Sequence, residues 1–232
     1  MNCFLLAGQS NMAGRGNIGE VEKIYDPRIF MLKYDSFEVM EEPIHTDKSD
    51  AGIGPAASFA LDYVKEYDEP VGLIPCAFGG TSITQWQPGG ELFENMINKA
   101  SLLGENDKII GILWAQGETD AKSIDNIDEY VMLFDNMLSE LEKRLSLSDV
   151  PVILADLIPF IYENPVYNTA TIISDAIKRI ASRDKKFGLV MTDGLVSKGD
   201  GLHYNSKSCR IFGKRFYEEY KNVLLKMNQS GK

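Results

Sequence analysis

The chain has 232 residues, of which 44% are hydrophobic and 25% charged, the composition of a globular chain long enough for one large domain. A domain of this size buries roughly 70% of its unfolded surface, so it needs no disulfide framework. With 34 acidic against 24 basic residues the net charge is −10, which argues against nucleic acid or anionic lipid as a partner.

The first apolar run, Asn2 to Ala7, has strand length and stops at Gly8. It lacks the basic flank of a signal peptide, and no run reaches the roughly 18 apolar residues of a membrane span, so a cytoplasmic protein is expected. Arg28 to Tyr34 is a second strand-length run, and Phe37-Glu38-Val39 after it suggests a small antiparallel excursion. Pro55 to Tyr67 reads as an amphipathic helix, with Ala57, Ala60, Leu61 and Val64 on one face and Pro55 suited to its first turn. Further strands at Val71 to Cys76, Ile109 to Trp114, Pro151 to Ala155 and Phe187 to Met191 alternate with helices at Leu92 to Leu103, Ile127 to Leu145, Thr169 to Ala181 and Ser206 to Leu225. Most of the strand runs are nearly continuous in Val, Ile, Leu and Phe, as strands covered on both faces require. Alternation of this kind predicts an α/β fold with a mostly parallel sheet and helices on both sides. One domain over 1–227 and a polar tail over 228–232 account for the chain.

Four of the strands run into loops rich in glycine and short polar side chains. These are Gly8-Gln9-Ser10-Asn11, Ala77-Phe78-Gly79-Gly80-Thr81-Ser82, Ala115-Gln116-Gly117-Glu118-Thr119-Asp120, and a loop ending Asp200-Gly201-Leu202-His203. In a parallel sheet all four open on the edge where ligands gather. A serine hydroxyl becomes a nucleophile only when a positioned base takes its proton. Of two histidines, His203 is the one in a strand-end loop; His45, in the acidic stretch Glu41 to Asp50, reads as surface. Asp200 stands three residues before His203, a spacing that lets its carboxylate hold one ring nitrogen and leave the other for Ser10. The N–H of Ser10, the N–H of Gly80 and the amide of Gln116 are candidate donors to an oxyanion, each worth roughly 3 kcal/mol of barrier. Cys3, Cys76 and Cys209 are odd in number and widely spaced, so neither a disulfide framework nor a zinc site is expected.

The segments Gly8-Gln9-Ser10-Asn11-Met12-Ala13-Gly14, Gly79-Gly80-Thr81-Ser82, Gln116-Gly117-Glu118-Thr119-Asp120 and Asp200-Gly201-Leu202-His203-Tyr204 resemble the four blocks of the SGNH-hydrolase superfamily. They look most like its branch of sialate O-acetylesterases and acetylxylan esterases, carbohydrate esterase family 6, and Gly54-Pro55 also fits. The resemblance implies a flavodoxin-like three-layer α/β/α sandwich that removes acetyl groups from sugar esters without a cofactor or metal. It makes Ser10 the nucleophile, His203 the base and Asp200 its orienter, with Ser10, Gly80 and Gln116 as oxyanion hole. The wider superfamily has Asn in the third block, where this chain offers Gln116-Gly117-Glu118, a departure that bears on the third oxyanion donor. In some members of the branch the Glu of that block is the proposed acid partner, so Glu118 competes with Asp200; the short spacing to His203 favours Asp200 and leaves Glu118 to bond loop amides. Gln9, Asn11, Arg15, Thr81 and Trp86 are candidates for a substrate rim.

Rival readings are weaker. Gly14-Arg15-Gly16-Asn17-Ile18-Gly19 matches a dinucleotide fingerprint, but the first glycine should follow the strand directly, and Asp26-Pro27 interrupts what should be a long helix. A non-catalytic sugar-binding module could use Trp86, flanked by Gln85 and Gln87, with Trp114 in the core. A lipid esterase or thioesterase needs an apolar trough that these small polar loops do not supply. The sequence says nothing about oligomeric state.

Overall fold

The computed structural model describes residues 1–229. In chain order it runs β1 (Asn2–Gly8), α1 (Ser10–Ala13), β2 (Ile29–Lys33), β3 (Ser36–Val39), α2 (Ala56–Tyr67), β4 (Val71–Pro75), α3 (Glu91–Ala100), β5 (Lys108–Ala115), α4 (Ile127–Arg144), β6 (Val152–Ala155), α5 (Ala170–Ser182), β7 (Phe187–Val190) and α6 (Ser206–Asn228). The strands form one sheet of order β3-β2-β4-β1-β5-β6-β7. Only β3 is antiparallel, paired with β2 as a hairpin at the sheet edge. Without that hairpin the order of the remaining strands is 2-1-3-4-5, the flavodoxin-like arrangement. No helix among the described residues is long and apolar enough to cross a membrane.

β1 is buried along nearly its whole length because it pairs with β4 on one side and β5 on the other. Its side chains alternate between two helical layers. Phe4 points into the layer of α2 and α6, where it meets Phe59, Tyr63 and Tyr220 edge-on at 4.7, 5.3 and 5.0 Å. On the other face Trp114 of β5 packs edge-on against Phe134 of α4, at 5.7 Å. Such ring pairs add to the stabilisation from buried area.

Helix boundaries follow local chemistry. Asn126 caps α4 by accepting from the N–H of Asp128, and Lys143 and Arg144 occupy its last turn, where cations suit the helix dipole. Asn205 caps α6 in the same way, through the N–H of Ser208. α6 continues to Asn228, past the Leu225 at which the hydrophobic period fades, and so takes in the first residue expected in the tail. Residues 230–232 of that tail lie outside the described residues. α3 stops at Ala100, short of Leu103, because the chain turns at Gly104 to enter β5.

Replacing Phe4 by Ala removes the ring on which three others converge. The expected loss is about 3–5 kcal/mol, read as a lower denaturant midpoint at unchanged slope.

Candidate active site

The turn after β1 begins with a steric constraint. Gly8 has φ +122°, and a Cβ there would lie 2.1 Å from the carbonyl oxygen of Ala115, so only glycine lets the strand end this close to β5. Gln9 then donates its N–H to that carbonyl at 2.8 Å, and α1 starts at Ser10. Being first in the helix, the Ser10 N–H has no intrahelical acceptor.

The Ser10 hydroxyl meets a residue 193 positions away. His203 Nε2 lies 3.0 Å from Ser10 Oγ, and His203 Nδ1 lies 2.7 Å from Asp200 Oδ2. The other carboxylate oxygen of Asp200 accepts the N–H of His203 at 2.8 Å and of Leu202 at 3.0 Å. Partial burial works against the Asp200 carboxylate, but those two N–H groups and the imidazole outweigh it and hold its pKa at about 2. Glu118 does not touch the imidazole. Its Oε1 accepts from Asn11 Nδ2 at 2.7 Å, while its Oε2 is buried without a partner. Burial pushes its pKa up. The three cysteines are buried, and burial raises each thiol to about 12, so none offers a thiolate near neutral pH.

Ser10 and His203 line a cavity of about 180 Å³, together with Gln9, Arg15 and Gly80 from the sequence-derived set. The other expected site residues are placed differently. Gln116 is not an oxyanion donor in this geometry. Its Nε2 donates to the Thr81 carbonyl and to the Asp120 carboxylate, and its Oε1 accepts from Tyr130, so both amide hydrogens are taken inside the protein. Trp86 is no rim residue: it is fully buried, packs on Trp114 at 5.3 Å and donates its indole N–H to Thr81 Oγ1. Thr81 is buried as well, its hydroxyl donating to the Phe78 carbonyl. Asn11 braces loops, with Nδ2 on Glu118 and on the Leu202 carbonyl and Oδ1 on the Tyr204 N–H. Arg15 borders the cavity, yet its guanidinium is buried and paired with Asp47 at 2.6 Å and Asp50 at 3.2 Å. The glycine-rich 14–19 segment is a loop following a four-residue helix, with Gly16 bridged to Ile53.

The family described as "Carbohydrate esterase, sialic acid-specific acetylesterase" matches residues 1–222. The chain belongs to this family. The chain is 35% identical to a probable carbohydrate esterase of Arabidopsis thaliana over 173 residues, which make up 65% of this chain and 66%, just under two thirds, of that relative. A solved structure from the same plant superposes with a TM-score of 0.85 at 26% identity, covering 95% of this chain and 97% of the other. NanS superposes at 0.76 with 17% identity over 96% and 97% of the two chains. An acetylxylan esterase from Geobacillus stearothermophilus, solved as a catalytic mutant, superposes at 0.55 with 14% identity over 94% and 93%. The last two likenesses concern the fold alone.

Several residues of the cavity carried no signal in the sequence. Lys48 and Lys122 border it, lying over the rings of Phe78 and Tyr167 at 5.8 and 5.0 Å, and neither is ion-paired among the described residues. Tyr167 also lines it. Lys48 sits in a loop, and Lys122 and Tyr167 end three-residue 3-10 turns, too short for periodicity to mark a side chain as facing inward.

His45, expected at the surface, is buried at 2% exposure beneath the loop that carries Asp47, with neither ring nitrogen hydrogen-bonded. Burial pushes its pKa down to about 4, opposed in part by the Asp47 carboxylate. The folded protein therefore prefers the neutral ring, and His45 contributes stability above its unfolded value that is lost as pH falls from about 6.5 to about 4. Urea titrations across this range should show this loss, and His45→Leu should remove that component of the pH dependence.

Proposed function

We propose that the protein hydrolyses O-acetyl esters of carbohydrates through an acetyl-enzyme on Ser10. The observation that carries this reading is the unbroken chain from Ser10 Oγ to His203 Nε2, at 3.0 Å, and from His203 Nδ1 to Asp200, at 2.7 Å, opening on a cavity. Ser10 attacks the acetyl carbonyl while His203 accepts its proton. Asp200, ionised at any working pH, fixes the ring tautomer and stabilises the imidazolium. His203 then protonates the departing sugar oxygen, and a water activated by the same ring releases acetate.

The tetrahedral oxyanion is met by the N–H of Ser10 and the N–H of Gly80, which is engaged by no group among the described residues and sits at φ +78° on the cavity wall. With Gln116 engaged elsewhere, Gln9 is the side-chain donor we favour. Its Oε1 is fixed by the N–H groups of Gly117 and Thr119, both at 3.3 Å, which turns its Nε2 away from that loop.

Cavity size favours a short acyl group. About 180 Å³ falls below the roughly 300–1,000 Å³ of typical ligand pockets and leaves no trough for a lipid chain. The unpaired Lys48 and Lys122 offset the net negative charge locally and suit a sugar that carries a carboxylate.

The test compares wild type with Ser10→Ala on p-nitrophenyl acetate, acetylated xylo-oligosaccharides and O-acetyl sialates. Ser10→Ala should lower kcat by about 10⁴-fold or more. A rate sustained from acetyl to octanoyl esters would instead favour the lipid esterase reading.

The pH profile assigns the base. The imidazole must be neutral to take the serine proton, so kcat/KM should fall with unit slope on the acid side of the profile. Asp200, its pKa held at about 2, adds no second step well above that value. A profile without an acid limb of unit slope contradicts His203 as the base.

A further inference from the structure

We infer that Asp47 is a positioning residue for ester hydrolysis: held by the buried Arg15 guanidinium, it fixes the Phe78–Gly79 peptide through the Gly79 N–H, so that the following N–H, that of Gly80, faces the cavity. This rests on the proposed oxyanion hole and extends it to a segment, Glu41 to Asp50, that the sequence offers only as an acidic surface stretch.

The geometry is specific. Asp47 Oδ2 accepts the Gly79 N–H at 2.8 Å and Arg15 Nη2 at 2.6 Å, and Asp47 Oδ1 faces Arg15 Nη1 at 3.3 Å. The two side chains are 3% and 2% exposed. One carboxylate oxygen therefore fixes both the guanidinium and the peptide. With the Gly79 N–H drawn toward Asp47, the next N–H, that of Gly80, is left for the cavity that Gly80 lines.

The two glycines answer separate demands. A Cβ on Gly79 would lie 2.4 Å from Arg15 Nη2 and 3.2 Å from Asp47 Oδ2, so glycine is needed for the ion pair to approach. Gly80 is needed for its φ. Arg15 is itself held from several sides. Nη1 donates to the Gly14 carbonyl at 2.8 Å, just past the nucleophile's helix, and the Arg15 carbonyl accepts Lys198 Nζ at 3.2 Å. Lys198 belongs to the histidine loop, where its N–H bonds the His203 carbonyl at 2.9 Å. The ion pair thus ties the oxyanion loop to both the nucleophile and the base. A buried charge pair is weak evidence for net stability, since desolvation opposes the attraction, but a fixed donor geometry is what oxyanion stabilisation needs.

The test separates aim from stability by comparing Asp47→Asn with Asp47→Ala. Both lose the charge facing Arg15, and Asn keeps a carbonyl oxygen for the Gly79 N–H. Measured are kcat and KM on p-nitrophenyl acetate per folded enzyme, and the thermal midpoint. Asp47→Asn should exceed Asp47→Ala in kcat by about tenfold or more, with KM within about twofold, while both melt below wild type. Equal kcat in the two variants overturns the inference. If Asp47→Ala does not fold, Asp47→Glu takes its place: it keeps the charge and shifts the acceptor by one methylene. It should then melt near wild type with kcat about tenfold lower, and wild-type kcat in it overturns the inference. Ser10→Ala runs alongside. Hydrolysis surviving in Ser10→Ala overturns the serine reading and this inference with it, whereas its loss together with equal Asp47 variants overturns this inference alone.

Discussion

Pairing of β1 on both of its edges decides where chemistry can sit in this fold. β4 lies to one side and β5 to the other, so the loops leaving these three strands diverge and open a crevice above the end of β1. Gly8 brings the strand end against Ala115, and the next turn delivers Ser10 into that crevice. Every other part of the site is referred to this point. His203 arrives on the loop between β7 and α6, at the far end of the chain, and is registered to Ser10 through Asn11, which holds the Leu202 carbonyl and the Tyr204 N–H on either side of it.

The crevice is braced by polar side chains that bond one another across loops, although Glu118 Oε2 is left without a partner among the described residues. A buried amide or hydroxyl without a partner costs about 1–3 kcal/mol, so each one near the serine must be bonded by protein, water or ligand. Gln9 fixes the third loop, Asn11 the fourth, and Gln116 joins the second to the third through the Thr81 carbonyl and Asp120. Asp120 in turn accepts the N–H of Ile83, with both oxygens at 3.1 Å. Such a lattice keeps donors in place before substrate arrives, which is the condition for oxyanion stabilisation without reorganisation at the moment of reaction.

This lattice also explains what could and could not be read from residues alone. The sheet was legible because parallel strands buried on both faces form short continuous apolar runs, and even the β2–β3 hairpin left its mark as Phe37-Glu38-Val39. The Asp200 and His203 pairing was legible because three residues of loop fix it locally. Ser10 was legible from its place directly after a strand. Trp86, Thr81, Asn11 and Gln116 were not, because a short polar or aromatic residue in a glycine-rich loop is needed equally to bind a sugar and to brace a neighbouring loop. Only the packing of one loop on another tells the two apart, as it does when Trp86 turns inward onto Trp114 and Thr81. His45 misled for a related reason: an acidic, proline-containing stretch usually faces water, whereas here Asp47 finds Arg15 inside and draws the segment, with its histidine, over the sheet edge.

Burial near the site sets two opposing pH demands on the fold. His45 is held neutral, so its contribution fades on acidification. Glu118 and Asp120 have pKa values raised by burial, Asp120 to about 6, so the folded state binds their protons more tightly than the unfolded chain does. Their contribution is present at low pH and is lost as pH rises through the shifted values. The two demands pull in opposite directions, so a fold that buries ionisable groups to brace its loops has no single pH at which every one of them favours the folded state. That is the expected trade when loop positions are selected for geometry and not for folding free energy.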